Sequence, residues 1–431
     1  VGMDFTNTNG GDFRNTFIFI ASHFKQKQII YYLAFEKLSF FKKFPKRYHM
    51  KLIQTLVIVL CSIPLFSQKT IETFTSKKLG ADREIYISLP PSYEKDTKRN
   101  YPILLVLDAE YLFDPFQGAL KFGNYWDDLP EVILVGICQN KTEERYADSE
   151  FDEETGLPDS TGANFFDFIG TELMPYLEKT YRIAPFKIIA GHDTTAGFTN
   201  FYLYKDNPLF DAYITLSPDL ATDMENRIPE RLGLITKPIY YYHSTADGDV
   251  KKMQKRIKEL DEKAKVIKNT TLNYKFDEFI GASHYSLVLH SIPNALYQFF
   301  AVYQPITTFE FNEKIVKLEY GYVEYLKTKY DVLEKSLNIK MPIRLNDFKA
   351  IEAAIIKNKV YNEFDELSIL ADKYYGKTML PDYYMALMYE KKEDYKRAQK
   401  KYLSAFQKEP IGDLNKDMMY DKSEEMKQMQ Q

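Results

Sequence analysis

The sequence contains no phosphate-binding loop, no dinucleotide fingerprint and no residues at metal-ligand spacing. No cofactor and no metal are therefore expected. Cysteine is scarce: Cys61 and Cys138 are the whole complement, so removal of the segment that carries Cys61 leaves no internal disulfide possible. Charge of one sign is not in excess, with a formal net charge of -4. No basic stripe marks a nucleic-acid binder, and no nucleic-acid partner is expected. A long membrane-spanning run is also missing, because the apolar stretch from Leu52 to Phe66 is short and interrupted by Gln54 and Pro64. What remains, 431 residues that are 45% hydrophobic and 27% charged, suits a globular protein of about two domains.

From Met50 the chain reads "MKLIQTLVIVLCSIPLFSQKT", with a basic residue (Lys51), an apolar core and a small residue (Ser67) before Gln68. This three-part pattern predicts a signal peptide over 50–67, with 1–49 an upstream extension. Leu60 before Cys61 excludes a lipoprotein signal. The protein is expected to be secreted or periplasmic, with no membrane span once the signal is removed. The alternative is a genuine N-terminal segment with a buried helix at 52–66.

Between about 70 and 305, strand-like and helix-like segments alternate. Strands are predicted at 84–89, 102–109, 131–137, 186–192, 212–218, 237–244 and 271–279, several of them continuous apolar runs that need cover on both faces. Phe165, Phe168, Ile169, Leu173, Tyr176 and Leu177 share one helical face, as do Val250, Met253, Ile257, Leu260 and Ala264. The expected fold class is α/β, a doubly wound and mostly parallel sheet over 68–305, followed by a helical region over 310–431. In such folds chemistry sits beyond the carboxyl ends of the strands, in the loops after Ala109, His192, Ser244 and Phe279. Within the helical region, 382–410 resembles one tetratricopeptide repeat through Ala386, Tyr389, Ala398, Tyr402, Ala405 and Pro410. One repeat cannot bury its own apolar face, so it is expected either to cap the fold or to carry a protein partner through 310–431.

The stretch "KIIAGHDTTAGF" (187–198) has the form of a strand-to-helix nucleophile turn. With "REIYISLPPSYEKDTKRNYPILLVLDAEYLF" (83–113), "ELMPYLEKTYRIAPFKIIAGH" (172–192), "LFDAYITLSP" (209–218) and "GASHYSLVLHSIPNAL" (281–296), it resembles the putative esterase family of α/β-hydrolases that includes esterase D and enterochelin esterases. The resemblance implies a triad in chain order. Its base falls on His284 and its acid on Asp247 or, second, Asp249; its serine falls on Asp193. Ala109 and Thr194 are the oxyanion-region candidates, and a small ester-like ligand is the implied partner. Asp247 also reads as a helix N-cap. His192 and His243 read as structural, His290 as helical, and Cys138 as a buried small residue.

Three readings compete at Asp193. A carboxylate nucleophile, as in haloalkane dehalogenases and epoxide hydrolases, displaces at saturated carbon, but those families keep glycine where this chain has Thr195 and carry a lid after the sixth strand. A slipped register makes Thr195 the nucleophile with Gly197 two positions on. In the third reading the serine mechanism is lost: Asp193 has no hydroxyl for His284 to deprotonate, and a carboxylate beside the imidazole favours a static ion pair. The missing glycine at Thr195 then implies a relaxed turn. The preferred expectation is a ligand- or partner-binding pseudoenzyme. An active ester hydrolase with His284 as base, or an interaction module working through the helical region, are the alternatives.

Overall fold

The computed structural model describes residues 69–430, positions 140, 142 and 338 excepted. The expectations for 1–49 and 50–67 lie outside the described residues. No helix among those described is long and apolar enough to cross a membrane.

Eight strands form one sheet: β1 (Thr70–Ser76), β2 (Ala81–Ser88), β3 (Tyr101–Val106), β4 (Ile133–Ile137), β5 (Ile183–His192), β6 (Ala212–Leu216), β7 (Ile239–Gly248) and β8 (Leu272–Ser283). Their order is β1-β2-β4-β3-β5-β6-β7-β8. The first three in that order pair antiparallel and the rest parallel. All seven predicted strands are present. β1 escaped prediction because "TIETFTS" lies at the edge and most of its side chains are open to solvent.

Successive residues of a strand face opposite ways, and both faces here are apolar. Ile103 and Leu105 of β3 join one cluster with Ile133, Ile189 and Tyr213. Leu104 and Val106 join the other, with Leu134, Ile188 and Ile214. Each such side chain contributes about 1.5–3 kcal/mol on burial, which explains why these strands read as unbroken apolar runs.

The helices that matter for the site follow strands directly. They are α1 (Ala109–Tyr125) after β3, α2 (Thr194–Thr199) after β5, α3 (Lys251–Ala264) after β7 and α4 (Leu287–Phe299) after β8. The helical region adds α5 (Tyr322–Leu337), α6 (Leu345–Asn358), α7 (Glu363–Tyr375), α8 (Leu380–Lys391), α9 (Tyr395–Phe406) and α10 (Lys416–Gln428). Helices α8 and α9 cover the repeat-like stretch, with Ala386, Ala398, Tyr402 and Ala405 wholly buried. Residues of α5 to α10 continue the cluster that holds Leu104 and Val106. A polar clasp reinforces this packing: Asp127, just beyond α1, accepts from Tyr303 Oη at 2.7 Å and from Arg344 Nη2 at 3.0 Å.

Candidate active site

Strand β5 ends at His192, and α2 begins at Thr194. Asp193 lies between them at φ 59°, ψ -123°, a conformation that costs a non-glycine residue on the order of 1–3 kcal/mol. The tight turn expected to relax is therefore intact. Its close approaches are made by two other glycines. A Cβ on Gly191 would meet Thr195 C at 2.7 Å, and one on Gly197 would meet Asp219 O at 1.9 Å. Thr195 fits because its side chain turns inward: Oγ1 donates to Asp108 Oδ2 at 2.6 Å and accepts from His192 N at 3.1 Å. It is wholly buried, so the slipped-register reading, with Thr195 as an exposed nucleophile, does not hold.

His284 follows β8. Its Nδ1 lies 2.7 Å from Asp249 Oδ1, and its Nε2 lies 3.9 Å from Asp193 Oδ1. Asp249 also accepts from Ser217 Oγ and Thr245 Oγ1 at 2.7 Å and from Val250 N at 2.8 Å. Burial works to raise its carboxyl, and these hydrogen bonds outweigh burial, bringing it down to about 2. Asp247, the first choice for this position, instead lies exposed and accepts from Gly281 N at 2.8 Å. The acid position moves because β7 runs on to Gly248 and its pairing with β8 shifts register between Ala246 and Gly248. That irregularity leaves Asp247 outside and turns Asp249 inward. The N-cap reading also fails for Asp247, since α3 begins after Val250.

The hydrogen bond to Asp249 raises the pKa of His284; burial opposes it, and the charges of Asp193 and Asp249 add to it. With the Nδ1 proton committed to Asp249, neutral His284 would turn a lone pair toward a carboxylate. Imidazolium turns an N–H toward it instead.

On its other side Asp193 meets a residue the sequence did not single out. Arg145 Nη1 lies 3.1 Å from Asp193 Oδ2, Nε donates to Asp108 Oδ1 at 2.7 Å, and Nη2 donates to His192 O at 2.8 Å. Burial pulls the guanidinium pKa down. The charge and hydrogen bond of Asp108, with Tyr111 and Asp193, outweigh burial and hold it above its ordinary value. Asp108 is wholly buried at φ 53°, between β3 and α1. Burial raises its carboxyl, against the pull of Arg145, Thr195 and Tyr111. Arg145 sits on the short helix Glu144–Ala147, which Arg83 pins through ion pairs to Glu144 and, at 2.6 Å, to Asp148.

The guanidinium thus bridges the turn after β3 to the turn after β5. Ala109 and Thr194 are the first helical residues on those same two turns.

The remaining candidates take supporting places. His192 is buried between Tyr111 Oη and His284 O, each 3.1 Å from its ring nitrogens. Burial lowers its pKa to about 4. His243 is buried, with Nε2 2.6 Å from Tyr274 Oη. His290 lies on α4 and stacks on Phe279. Cys138 is buried, and burial pushes its thiol up to about 12, far from a reactive thiolate. Among the described residues no group of side chains is arranged to hold a metal ion.

The sheet order, the strained turn after β5 and the ordered Asp193–His284–Asp249 array define an α/β-hydrolase fold. Residues 76–276 match the family described as putative esterase. It is 23% identical over 265 residues to the ferri-bacillibactin esterase of Bacillus subtilis, covering 52% of this chain and 87% of the relative. A crystal structure of an uncharacterised protein from Capnocytophaga ochracea is similar along 84% of this chain and 100% of its own, at 28% identity and a TM-score of 0.74. An IroE-like serine hydrolase from Shewanella oneidensis shares the fold at 18% identity and a TM-score of 0.53, covering 71% of this chain and 99% of its own.

Proposed function

We propose that this is an esterase-fold protein in which Asp193 stands at the serine position and the site binds a ligand without hydrolysing it. One observation carries the reading: the Asp193 carboxylate lies 3.1 Å from Arg145 and 3.9 Å from His284 Nε2. Ester cleavage by this array needs a hydroxyl for the imidazole to deprotonate. A carboxylate has no such proton, and its attack on an ester gives an anhydride. The resident negative charge also occupies Arg145 Nη1, which would otherwise be open to an oxyanion while Nε and Nη2 stay on Asp108 and His192 O. An ester-like small molecule is the ligand class that the likeness to a ferri-bacillibactin esterase supports. Export through the segment 50–67 places this binding outside the cytoplasm, and N-terminal sequencing of the mature protein beginning at Gln68 is the expected result.

Hydrolysis of 4-nitrophenyl acetate tests the reading. Wild type is expected to match His284→Ala and the buffer blank. Turnover by wild type that His284→Ala abolishes contradicts it.

The intact turn favours a second reading, in which Asp193 displaces at saturated carbon and His284 activates water. Against it, the connection from β6 to β7 carries only the helix Met224–Leu234 and no lid of several helices, and Arg145 lowers the nucleophilicity of the carboxylate. Single turnover of a haloalkane in heavy-oxygen water separates the two readings: label appearing in the Asp193 peptide supports the second.

A further inference from the structure

Strand β8 is an open edge of the sheet. It pairs with β7 on one side, and among the described residues no strand pairs with the other. The interior strands β3 and β6 are wholly buried, whereas Ala282 is the one buried residue in β8. Ile239 N donates to Thr271 O at 3.0 Å, and Ile239 is level with Leu272. The parallel ladder continues from there by alternation. Asn273, Lys275 and Asp277 therefore bond to β7, and Tyr274, Phe276 and Glu278 turn their N–H and C=O groups outward. Helices flank both faces beside this edge. Tyr274 Oη donates to Asp261 of α3 at 2.7 Å, and Asn294 of α4 donates to Asp277 at 2.9 Å.

An exposed row of backbone donors and acceptors is a template for another strand, and the side chains of β8 select which. Lys275 and Asp277 share one face of the strand, 3.2 Å apart and both partly accessible. Run antiparallel to itself with Phe276 on the two-fold axis, β8 sets Lys275 opposite Asp277 of the second copy, twice. Both residues bond to β7, so these are non-hydrogen-bonded pairs, in which facing side chains come closest. Phe276 then exchanges both backbone bonds with its own copy, and Tyr274 exchanges them with Glu278. The same register brings Ile280, which is 81% exposed, opposite Leu272. Moving the axis by one residue sets Lys275 against Lys275 or Asp277 against Asp277, and like charges directly opposite are destabilising. We propose that β8 pairs antiparallel with β8 of a second copy of this chain about a two-fold axis at Phe276, joining two eight-stranded sheets into one. A single strand pair buries little area, so the dimer is of the kind that dissociates on dilution.

Sedimentation velocity of the full chain over a range of concentrations tests this. A monomer–dimer equilibrium is expected for wild type. Lys275→Glu and Asp277→Lys should each weaken it about tenfold or more, because both cross-strand pairs become like-charged. Mixed in equal amounts, the two variants should regain the dimer, since each copy then offers the charge that the other lacks. Glu278→Pro removes an outward N–H and leaves the ladder to β7 intact, so it should stay monomeric with an unchanged circular dichroism spectrum. That variant decides the matter even if Asp277→Lys, which loses its bonds from Tyr242 and Asn294, does not fold. Phe276→Cys should oxidise to a covalent dimer beyond any formed by wild type, as facing Cα atoms about 5.5 Å apart allow; Glu278→Cys should not. A wild type that is monomeric at every concentration overturns the proposal. So does a dimer that Lys275→Glu and Glu278→Pro leave intact, a mixture of folded charge variants that stays monomeric, or cross-linking through Glu278→Cys in place of Phe276→Cys.

Discussion

Asp108, Arg145, Asp193, His284 and Asp249 form a chain of alternating charge in which each member meets the next. Thr195 shows how tightly this is drawn. Its hydroxyl serves Asp108, a carboxylate with no solvent exposure, so Thr195→Val removes a donor while keeping the volume. The expected loss is about 1–3 kcal/mol of stability, read by chemical denaturation. The pH dependence follows from the two shifted groups. The folded-state pKa of His284 is raised above 6.5, so its stabilisation is complete below that value and fades as pH rises through the folded pKa. The stability gap between wild type and His284→Gln should therefore be larger at pH 6 than at pH 9. Asp249 acts at the other end: its folded pKa is about 2, below the ordinary 3.8. Its contribution is present above 3.8 and is lost as pH falls through 2.

At the scale of elements, the turn between β5 and α2 depends on glycines whose purpose is close approach. Gly197→Ala would place a methyl group 1.9 Å from Asp219 O. The backbone must move, at about 1–3 kcal/mol or more, with a matching fall in the denaturation midpoint. The sequence made Gly191 and the strand before it legible, because an apolar run ending in G-x-D is a local signal. It misled at Thr195, where the absent glycine suggested a relaxed turn; an inward hydroxyl and two neighbouring glycines preserve the turn instead. It left the acid between Asp247 and Asp249, because the register shift in the β7–β8 pairing has no signature in composition. Arg145 was not legible at all. It meets Asp193 across 48 positions from the short helix after β4, and one arginine in "KTEERYADSE" carries no pattern.

Among the described residues the sheet and the helical region share one hydrophobic cluster. The face of the sheet that carries Leu104 and Val106 shares one cluster with Tyr322, Leu326, Phe348 and Tyr402 of the helical region. The similarity to the Capnocytophaga protein, at 84% of this chain, extends through both parts. Ending the chain at 305 should therefore expose apolar surface and yield aggregated protein on size exclusion, or a clearly lowered Tm. Arg344→Ala should cost about 1–3 kcal/mol by leaving Asp127 and Tyr303 without their guanidinium. A truncated chain that remains monomeric and equally stable would show that the shared cluster adds nothing.

The central claim, that the array is complete except for its hydroxyl, is tested most directly by a fluorophosphonate probe that labels only an activated serine. Labelling is followed by mass spectrometry of the intact chain and of the peptide spanning 187–204. Wild type should remain unlabelled. Asp193→Ser should gain one adduct at position 193, with His284 as base and Arg145 Nη1, no longer paired to Asp193, open to the new oxyanion. Labelling of wild type, or an Asp193→Ser variant that stays folded and takes no adduct, would contradict the account.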